Sequence, residues 1–175
     1  LVGSEMCIRD SFNDTPLGHP LVQLDHAFTA VESDIPDEDG LLSKTLIMVD
    51  RDTNYSLAIT VGSDAEMSYS VKMVCSWFQA KGHTTTEVRV DNHNEMIALQ
   101  KMIGVMRVKQ NPNARIIPTW GKLRDSKSMG GVEVQIRWWR AKLRTLRLWC
   151  QDKYGIHVGP KHPLWPWIVI HSSFL

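Results

Sequence analysis

The chain has 175 residues, of which 43% are hydrophobic and 22% are charged, and its formal net charge at pH 7 is +1. This composition is typical of one globular domain and excludes a disordered or collagen-like chain. Because the net charge is so small, any affinity for nucleic acid must come from local clusters of basic residues.

The beginning of the chain is expected to be foreign to the fold. Residues 1 to 10 match the translation of a common sequencing adaptor, so we expect them to be an assembly artefact and residues 11 to 175 to be the native domain. Leu175 falls inside an apolar run predicted to be helical, so we expect this domain to be truncated at its C-terminus. The apolar run over 164–170 is too short to span a bilayer.

The two remaining cysteines, Cys75 and Cys150, show no short spacing motif. This argues against both a disulfide framework and a zinc ribbon, and it favours an intracellular, reducing compartment.

Hydrophobic periodicity predicts strands and helices along the whole chain. The acidic segment 31–40 contains Pro36 and Gly40 and predicts a solvated loop. The predicted elements are strands over 21–28, 45–49 and 55–61, a helix over 65–81, a strand over 87–91, a helix over 94–107, a strand over 114–117 and a long helix over 131–152. This mixed order predicts an α/β fold in which helices flank a central sheet.

Three carboxylates occupy positions where acids commonly bind divalent metal ions. Asp25 lies in the first predicted strand, Asp91 ends the fourth, and Glu133 opens the long helix. Acids placed in this way can converge on a point where two Mg²⁺ or Mn²⁺ ions bridge a phosphate. We therefore expect the three carboxylates to cluster even without metal, in a site that acts on nucleic acid. Asp50 and Asp52, in contrast, are predicted to be turn residues.

The long helix carries two parallel rows of side chains. An apolar row at steps of four and three predicts a buried stripe: Val132, Ile136, Trp139, Leu143, Leu146 and Cys150. The adjacent row begins with Glu133 and continues with arginines: Arg137, Arg140, Arg144 and Arg147. Two interpretations of this second row stay open. It is either a solvated face with a weak Glu133–Arg137 pair or a surface that follows a DNA backbone.

Several stretches together resemble the catalytic core of retroviral and retrotransposon integrases. The resemblance rests on Leu24-Asp25-His26, on 90–95, on 130–134 with the arginine-rich helix, and on the tail segments 154–156 and 162–167. Because that family belongs to the RNase H-like superfamily, the resemblance implies a mixed five-stranded central sheet flanked by helices. It also implies that Asp25, Asp91 and Glu133 form a D,D,E triad that binds two Mg²⁺ or Mn²⁺ ions.

The resemblance further implies a reaction and its partners. The expected activity is DNA 3′-end processing and strand transfer, with element ends and target DNA as partners, a homo-oligomer in the full-length protein, no membrane, and a nuclear location. Segment 121–131 takes the place of a mobile catalytic loop. Expected DNA contacts are Lys122, Arg124, Lys127, Arg137, Arg140 and Arg144. Asn92 and Glu95 are expected to support the metal ligands without binding metal, and His93 stands where many members have glycine.

Two alternatives stay open beside the integrase interpretation. A ribonuclease H-type nuclease would need an acid in the first helix, where only Glu66 is available, and usually an aspartate in place of Glu133. A non-catalytic remnant would bind nucleic acid through the same scaffold. The three intact acids favour an active enzyme, because a core released from catalysis has no reason to keep charges that tend to be buried.

Overall fold

The computed structural model describes residues 18–29, 43–61, 64–121 and 129–175, the side chains of 64–67 excepted. Residues 1–10, the whole acidic segment 31–40, and Lys122, Arg124 and Lys127 therefore lie outside the described part of the chain. The described elements are β1 (Leu21–Thr29), β2 (Ser43–Asp50), β3 (Ser56–Val61), α1 (Asp64–Ala80), β4 (Thr85–Val90), α2 (Asn94–Gln110), β5 (Arg115–Trp120), α3 (Gly130–Tyr154) and α4 (Trp165–Ser172).

The five strands form one mixed sheet in the order β3-β2-β1-β4-β5. β2 pairs antiparallel with both β1 and β3, whereas β4 pairs parallel with both β1 and β5. The turn after β2 is stabilised by Asp50, whose carboxylate accepts hydrogen bonds from the Asp52 amide at 2.9 Å and the Thr53 hydroxyl at 2.9 Å. The prediction of turn residues is confirmed for Asp52, which lies in the turn, whereas Asp50 is the last residue of β2 and stabilises the turn from the strand.

Helices cover both faces of the sheet. The core on the α1 and α2 side includes Val22, Leu24, Val88 and Val90, whose side chains alternate along β1 and β4. The core on the other side contains Ala27 of β1 together with buried residues of α3 and α4. The predicted α/β fold with helices around a mixed five-stranded sheet is confirmed.

The predicted apolar stripe of α3 packs into the second of these cores. Val132, Ile136, Trp139 and Leu143 are buried there, and Leu146 and Cys150 pack against them partly buried. The stripe therefore binds α3 to the sheet and turns the row that begins with Glu133 towards solvent.

The elements differ from their predicted bounds by up to three residues at an end, and the ends of β5 and of the C-terminal helix show why. β5 continues through Pro118 to Trp120, because a strand at the edge of a sheet tolerates a residue without an amide proton. α4 ends at Ser172, so the expectation that Leu175 lies inside a helix is wrong. Ser172 and Ser173 turn their hydroxyl groups onto the carbonyls of Val169 and Ile170, which competes with continuation of the helix.

No helix in the described part of the chain combines the length and the apolar character needed to cross a membrane.

Candidate active site

Two of the three predicted metal ligands lie side by side on neighbouring strands. The parallel register of β1 and β4 pairs Leu24 with Val90, so Asp91, the residue after β4, follows next to Asp25. Alternation along both strands directs these two carboxylates away from the α1 and α2 core and towards the face that α3 covers. Asp25 and Asp91 are thus brought together as expected for the carboxyl end of a parallel strand pair.

Asp25 is the more enclosed of the two. Its Oδ1 accepts a hydrogen bond from the His26 amide at 2.7 Å. Burial is the main cause that raises the pKa of Asp25; the His26 hydrogen bond opposes it, and the negative charges of Asp91 and Glu133 add to the increase. The charges of Asp91 and Glu133 therefore both act on Asp25.

Asp91 and Glu133 are both exposed to solvent. The Asn92 amide donates to Asp91 Oδ1 at 2.8 Å, and the His93 amide donates to the Asp91 carbonyl at 2.8 Å. Glu133 lies in the first turn of α3, where the positive end of the helix dipole favours an acid. Asn92 therefore orients the Asp91 carboxylate through its backbone amide.

None of the three acids forms an ion pair with a described basic residue. The ion pairs found among the described residues are Lys44–Glu95, His83–Asp50 and Arg89–Glu87. Three hard oxygen donors without a counter-charge fit Mg²⁺ or Mn²⁺. Within the described residues, however, no three His, Cys, Asp or Glu side chains are grouped closely enough to hold an ion. The expectation that the three carboxylates cluster within reach of an ion even without metal is therefore not met: Asp91 and Glu133 act on the charge of Asp25, but the three side chains would have to approach further to share a metal.

Glu95 is engaged in its own cluster. Lys44 of β2 forms an ion pair with it, and this hydrogen bond is the main cause that lowers the pKa of Glu95. His26 and His93 are close enough to contribute. Burial, followed by the charge of Lys44, lowers the pKa of His26 to about 4. Glu95 is thus tied to β2 through Lys44.

The arginines of α3 divide into two kinds. Arg137, Arg140 and Arg144 are exposed, and Arg140 also donates to the Phe28 carbonyl at 2.8 Å. Arg147 instead donates from Nε to the Val158 carbonyl at 2.8 Å, and its guanidinium lies 5.8 Å from the centre of the Trp165 ring. Burial lowers the pKa of Arg147. Arg147 therefore supports the packing of the tail, whereas the other three arginines lie at the surface of the helix.

Sequence reasoning missed Gln23, which lies two residues before Asp25 on the same face of β1. Its Oε1 accepts hydrogen bonds from the Val132 amide at 3.1 Å and from Arg51 Nη1 at 3.2 Å. Gln23 is beside Arg89 in the register, and Arg89 pairs with Glu87 at 2.9 Å. The only signal in the sequence is a polar residue at an inward position of an otherwise apolar strand.

The Glu66 side chain, on which a ribonuclease H-type site would depend, lies outside the described side chains. The described acids whose charges act on Asp25 are Asp91 and Glu133.

No protein-family model matches the chain, and no curated protein matches it in sequence. The fold, however, is similar to solved structures. One is a chain of the cryo-EM structure of the simian T-cell lymphotropic virus intasome in complex with PP2A regulatory subunit B56 gamma, at 14% identity and a TM-score of 0.59. The match covers 89% of this chain and 47% of that chain, so this protein spans about half the length of its relative.

A second similar structure is the HTLV-2 integrase catalytic core domain in complex with magnesium, in its dimeric form. Identity is 11%, the TM-score is 0.55, and the match covers 89% of this chain and 86% of that one. Together with the strand order, these similarities show that the protein has the mixed α/β, RNase H-like fold of a retroviral integrase catalytic core.

Proposed function

We propose that the protein is the catalytic core of an integrase from a retrovirus-like or retrotransposon element, which trims DNA 3′ ends and joins them to target DNA. The arrangement of Asp25, Asp91 and Glu133 carries this proposal. The charges of Asp91 and Glu133 both act on Asp25, and none of the three acids has an ion-pair partner among the described residues. Like charges held together in this way favour the binding of a cation.

The fold supports the same conclusion. The HTLV-2 core of this fold is in complex with magnesium. In the present chain, Asp25 and Asp91 would hold metal from adjacent strands and Glu133 from the first turn of α3. Two bound Mg²⁺ or Mn²⁺ ions would supply Lewis acidity at the phosphate and stabilise the leaving oxygen.

The protein itself has to bind and orient the DNA. Arg137, Arg140 and Arg144 follow Glu133 along α3 and are exposed, so a phosphate backbone lying on this helix would lead towards the acids. In the proposal Lys122, Arg124 and Lys127 also contact DNA, from the segment that joins β5 to α3. When water is the nucleophile, the reaction trims a DNA end. When a DNA 3′-hydroxyl is the nucleophile at the same site, the reaction joins two DNA molecules. Assembly into a homo-oligomer and action in the nucleus belong to the same proposal.

One observation favours a second candidate, a non-catalytic remnant that binds nucleic acid. No group of three potential ligands in the described part of the chain is compact enough to hold an ion. In addition, His93 rather than a small residue stands immediately before α2, close to Asp91. A remnant would keep the basic face of α3 while losing the chemistry.

The test is a comparison of wild type and Asp91→Asn, each linked to an integrase's flanking DNA-binding domains. We expect wild type to cleave and join labelled DNA ends in Mg²⁺ or Mn²⁺, and Asp91→Asn to lose at least about 100-fold in rate because a charge that stabilises the transition state through metal is gone. DNA binding, measured by fluorescence anisotropy, should persist or strengthen. Wild type that binds these ends normally but shows no metal-dependent reaction would refute the proposal and support the remnant.

A further inference from the structure

The N-terminal end of α3 has an unusual anchor. The first amides of a helix have no carbonyl partner within the helix. Met129, at the N-cap position, makes no side-chain capping bond, and the first two helical residues are Gly130 and Gly131, the residue type with the greatest backbone freedom. The Val132 amide instead donates to the side chain of Gln23, in the middle of the sheet.

A second hydrogen bond fixes the orientation of the side-chain amide of Gln23. Arg51 donates to the same Oε1, so the oxygen end of the amide is turned towards the helix. The Arg51 guanidinium lies directly against Gly131, where an added Cβ would be only 1.4 Å from Nη1. With Arg51 in this position, there is no room for a side chain at residue 131.

This anchor connects two of the three acids. Gln23 and Asp25 lie on the same face of β1, two residues apart and hence about 7 Å apart along the strand. Val132 and Glu133 are consecutive at the start of α3. The hydrogen bond between Gln23 and Val132 is therefore a direct link from the strand that carries Asp25 to the helix turn that carries Glu133.

We propose that Gln23 is a positioning residue: by accepting the Val132 amide proton, it fixes the first turn of α3 and with it the place of Glu133 opposite Asp25. The inference rests on the proposed function, because it gives Gln23 a part in arranging the metal-binding acids. Gln23 does not itself touch metal or DNA in this role. It lowers the conformational freedom that Gly130 and Gly131 would otherwise give the turn.

The chain offers a matched control for this role. Gln100 is also a buried glutamine, at 2% exposure like Gln23, and its Nε2 donates to the Val88 carbonyl at 2.7 Å and to the Thr119 carbonyl at 3.2 Å. It binds α2 to the opposite face of the sheet. Gln23→Met and Gln100→Met thus remove the same chemical group from equally buried sites, and both should lower thermal stability.

The deciding measurement is Mn²⁺ binding to the full chain by isothermal titration calorimetry. We expect Gln23→Met to bind Mn²⁺ about tenfold more weakly than wild type, as for other residues that orient metal ligands, and Gln100→Met to bind it as wild type does. Equal affinity in the two variants would overturn the positioning role. If Gln23→Met does not fold, Gln23→Asn, whose shorter side chain no longer reaches the Val132 amide, should weaken Mn²⁺ binding in the same direction; unchanged binding there also contradicts the proposal.

Amide hydrogen exchange separates this inference from the proposed function. In Gln23→Met the amides of Val132 and Glu133 should exchange faster than in wild type, whereas in Gln100→Met they should not. Wild type that binds no Mn²⁺ would overturn the proposed function and the role in metal binding together. Unchanged exchange at Val132, with Mn²⁺ bound by wild type, would overturn the anchor alone.

Discussion

The two faces of the sheet are built by the same strands, yet they serve different purposes. Under α1 and α2, β1 and β4 contribute Val22, Leu24 and Val88 to an apolar core. Under α3, the intervening positions of these strands carry polar and charged groups, among them Gln23 and Asp25. Successive side chains of a strand point to opposite faces, so one strand can stabilise the fold and present a site at the same time.

The comparison separates the face of the sheet that mainly stabilises the fold from the face that carries the candidate site. The apolar face gains mainly from burial, and its buried Arg107 serves packing, since it donates to the Thr84 carbonyl at 3.1 Å and lies over the Phe78 ring. The polar face holds three acids near one another and a buried glutamine that joins strand and helix. Substitutions on the first face should change mainly stability, and substitutions on the second mainly the binding of metal and DNA.

The largest effect is expected on the apolar face. Phe78 is fully buried between the sheet and the helices, so Phe78→Ala should lower the free energy of unfolding by about 3–5 kcal/mol. Urea denaturation followed by circular dichroism measures this directly. A decrease in the free energy of unfolding below about 1 kcal/mol would show that the core on this side contributes little to stability.

The arginines of α3 sharpen the comparison within one helix. Arg147→Ala should cost about 1.5 kcal/mol of stability, because it removes a charged hydrogen bond to Val158 and packing on Trp165. Arg137→Ala should leave stability unchanged and instead reduce the slope of log DNA affinity against log salt by about 0.9. The two variants compared by denaturation and by DNA binding at several salt concentrations should show opposite patterns. If Arg137→Ala lowered stability and Arg147→Ala reduced the salt dependence of DNA binding, the roles assigned to these two arginines would be wrong.

A smaller effect is expected from His26, which lies beside Asp25 but belongs to the cluster with Lys44 and Glu95. Its pKa is lowered to about 4 from 6.5 by burial and by Lys44, so the unfolded chain binds the proton more readily between these values. The free energy of unfolding should therefore fall as pH drops from 6.5 to 4, by about 1 kcal/mol after allowance for partial exposure. His26→Met should lose less stability over this range. An identical pH dependence in the two proteins would contradict this assignment.

The smallest effect is expected from the first ten residues. Deletion of residues 1 to 10 should change the free energy of unfolding by less than about 0.5 kcal/mol, because a translated adaptor was never selected to fit this fold. Thermal denaturation of the shortened chain tests this. A clear loss of stability would refute the adaptor interpretation.

Local patterns predicted much of the fold. The apolar stripe of α3 and the alternation along β1 depend on neighbours in sequence, which is why periodicity identified both. Pro118 misled the prediction for β5, because the sequence does not show that this strand lies at an edge.

The candidate site was predictable only in part. The sequence placed Asp25 inside a strand, Asp91 at the end of another and Glu133 at the start of a helix, and the resemblance to integrases added the expectation that the three bind metal together. The contact between Gln23 and Val132 joins residues 109 positions apart, and no local pattern connects them. The separation of Arg147 from the other arginines also depends on a tertiary contact, with the segment before α4.

The claim that Asp25, Asp91 and Glu133 form a two-metal site can be tested by anomalous X-ray diffraction from crystals of the protein soaked in Mn²⁺. We predict Mn²⁺ peaks bound by oxygen atoms of these three side chains, with two ions about 3.5–4 Å apart, and loss of at least one peak in Asp91→Asn. Crystals saturated with Mn²⁺ that show no peak between Asp25 and Asp91 would contradict the two-metal site and, with it, the proposed chemistry.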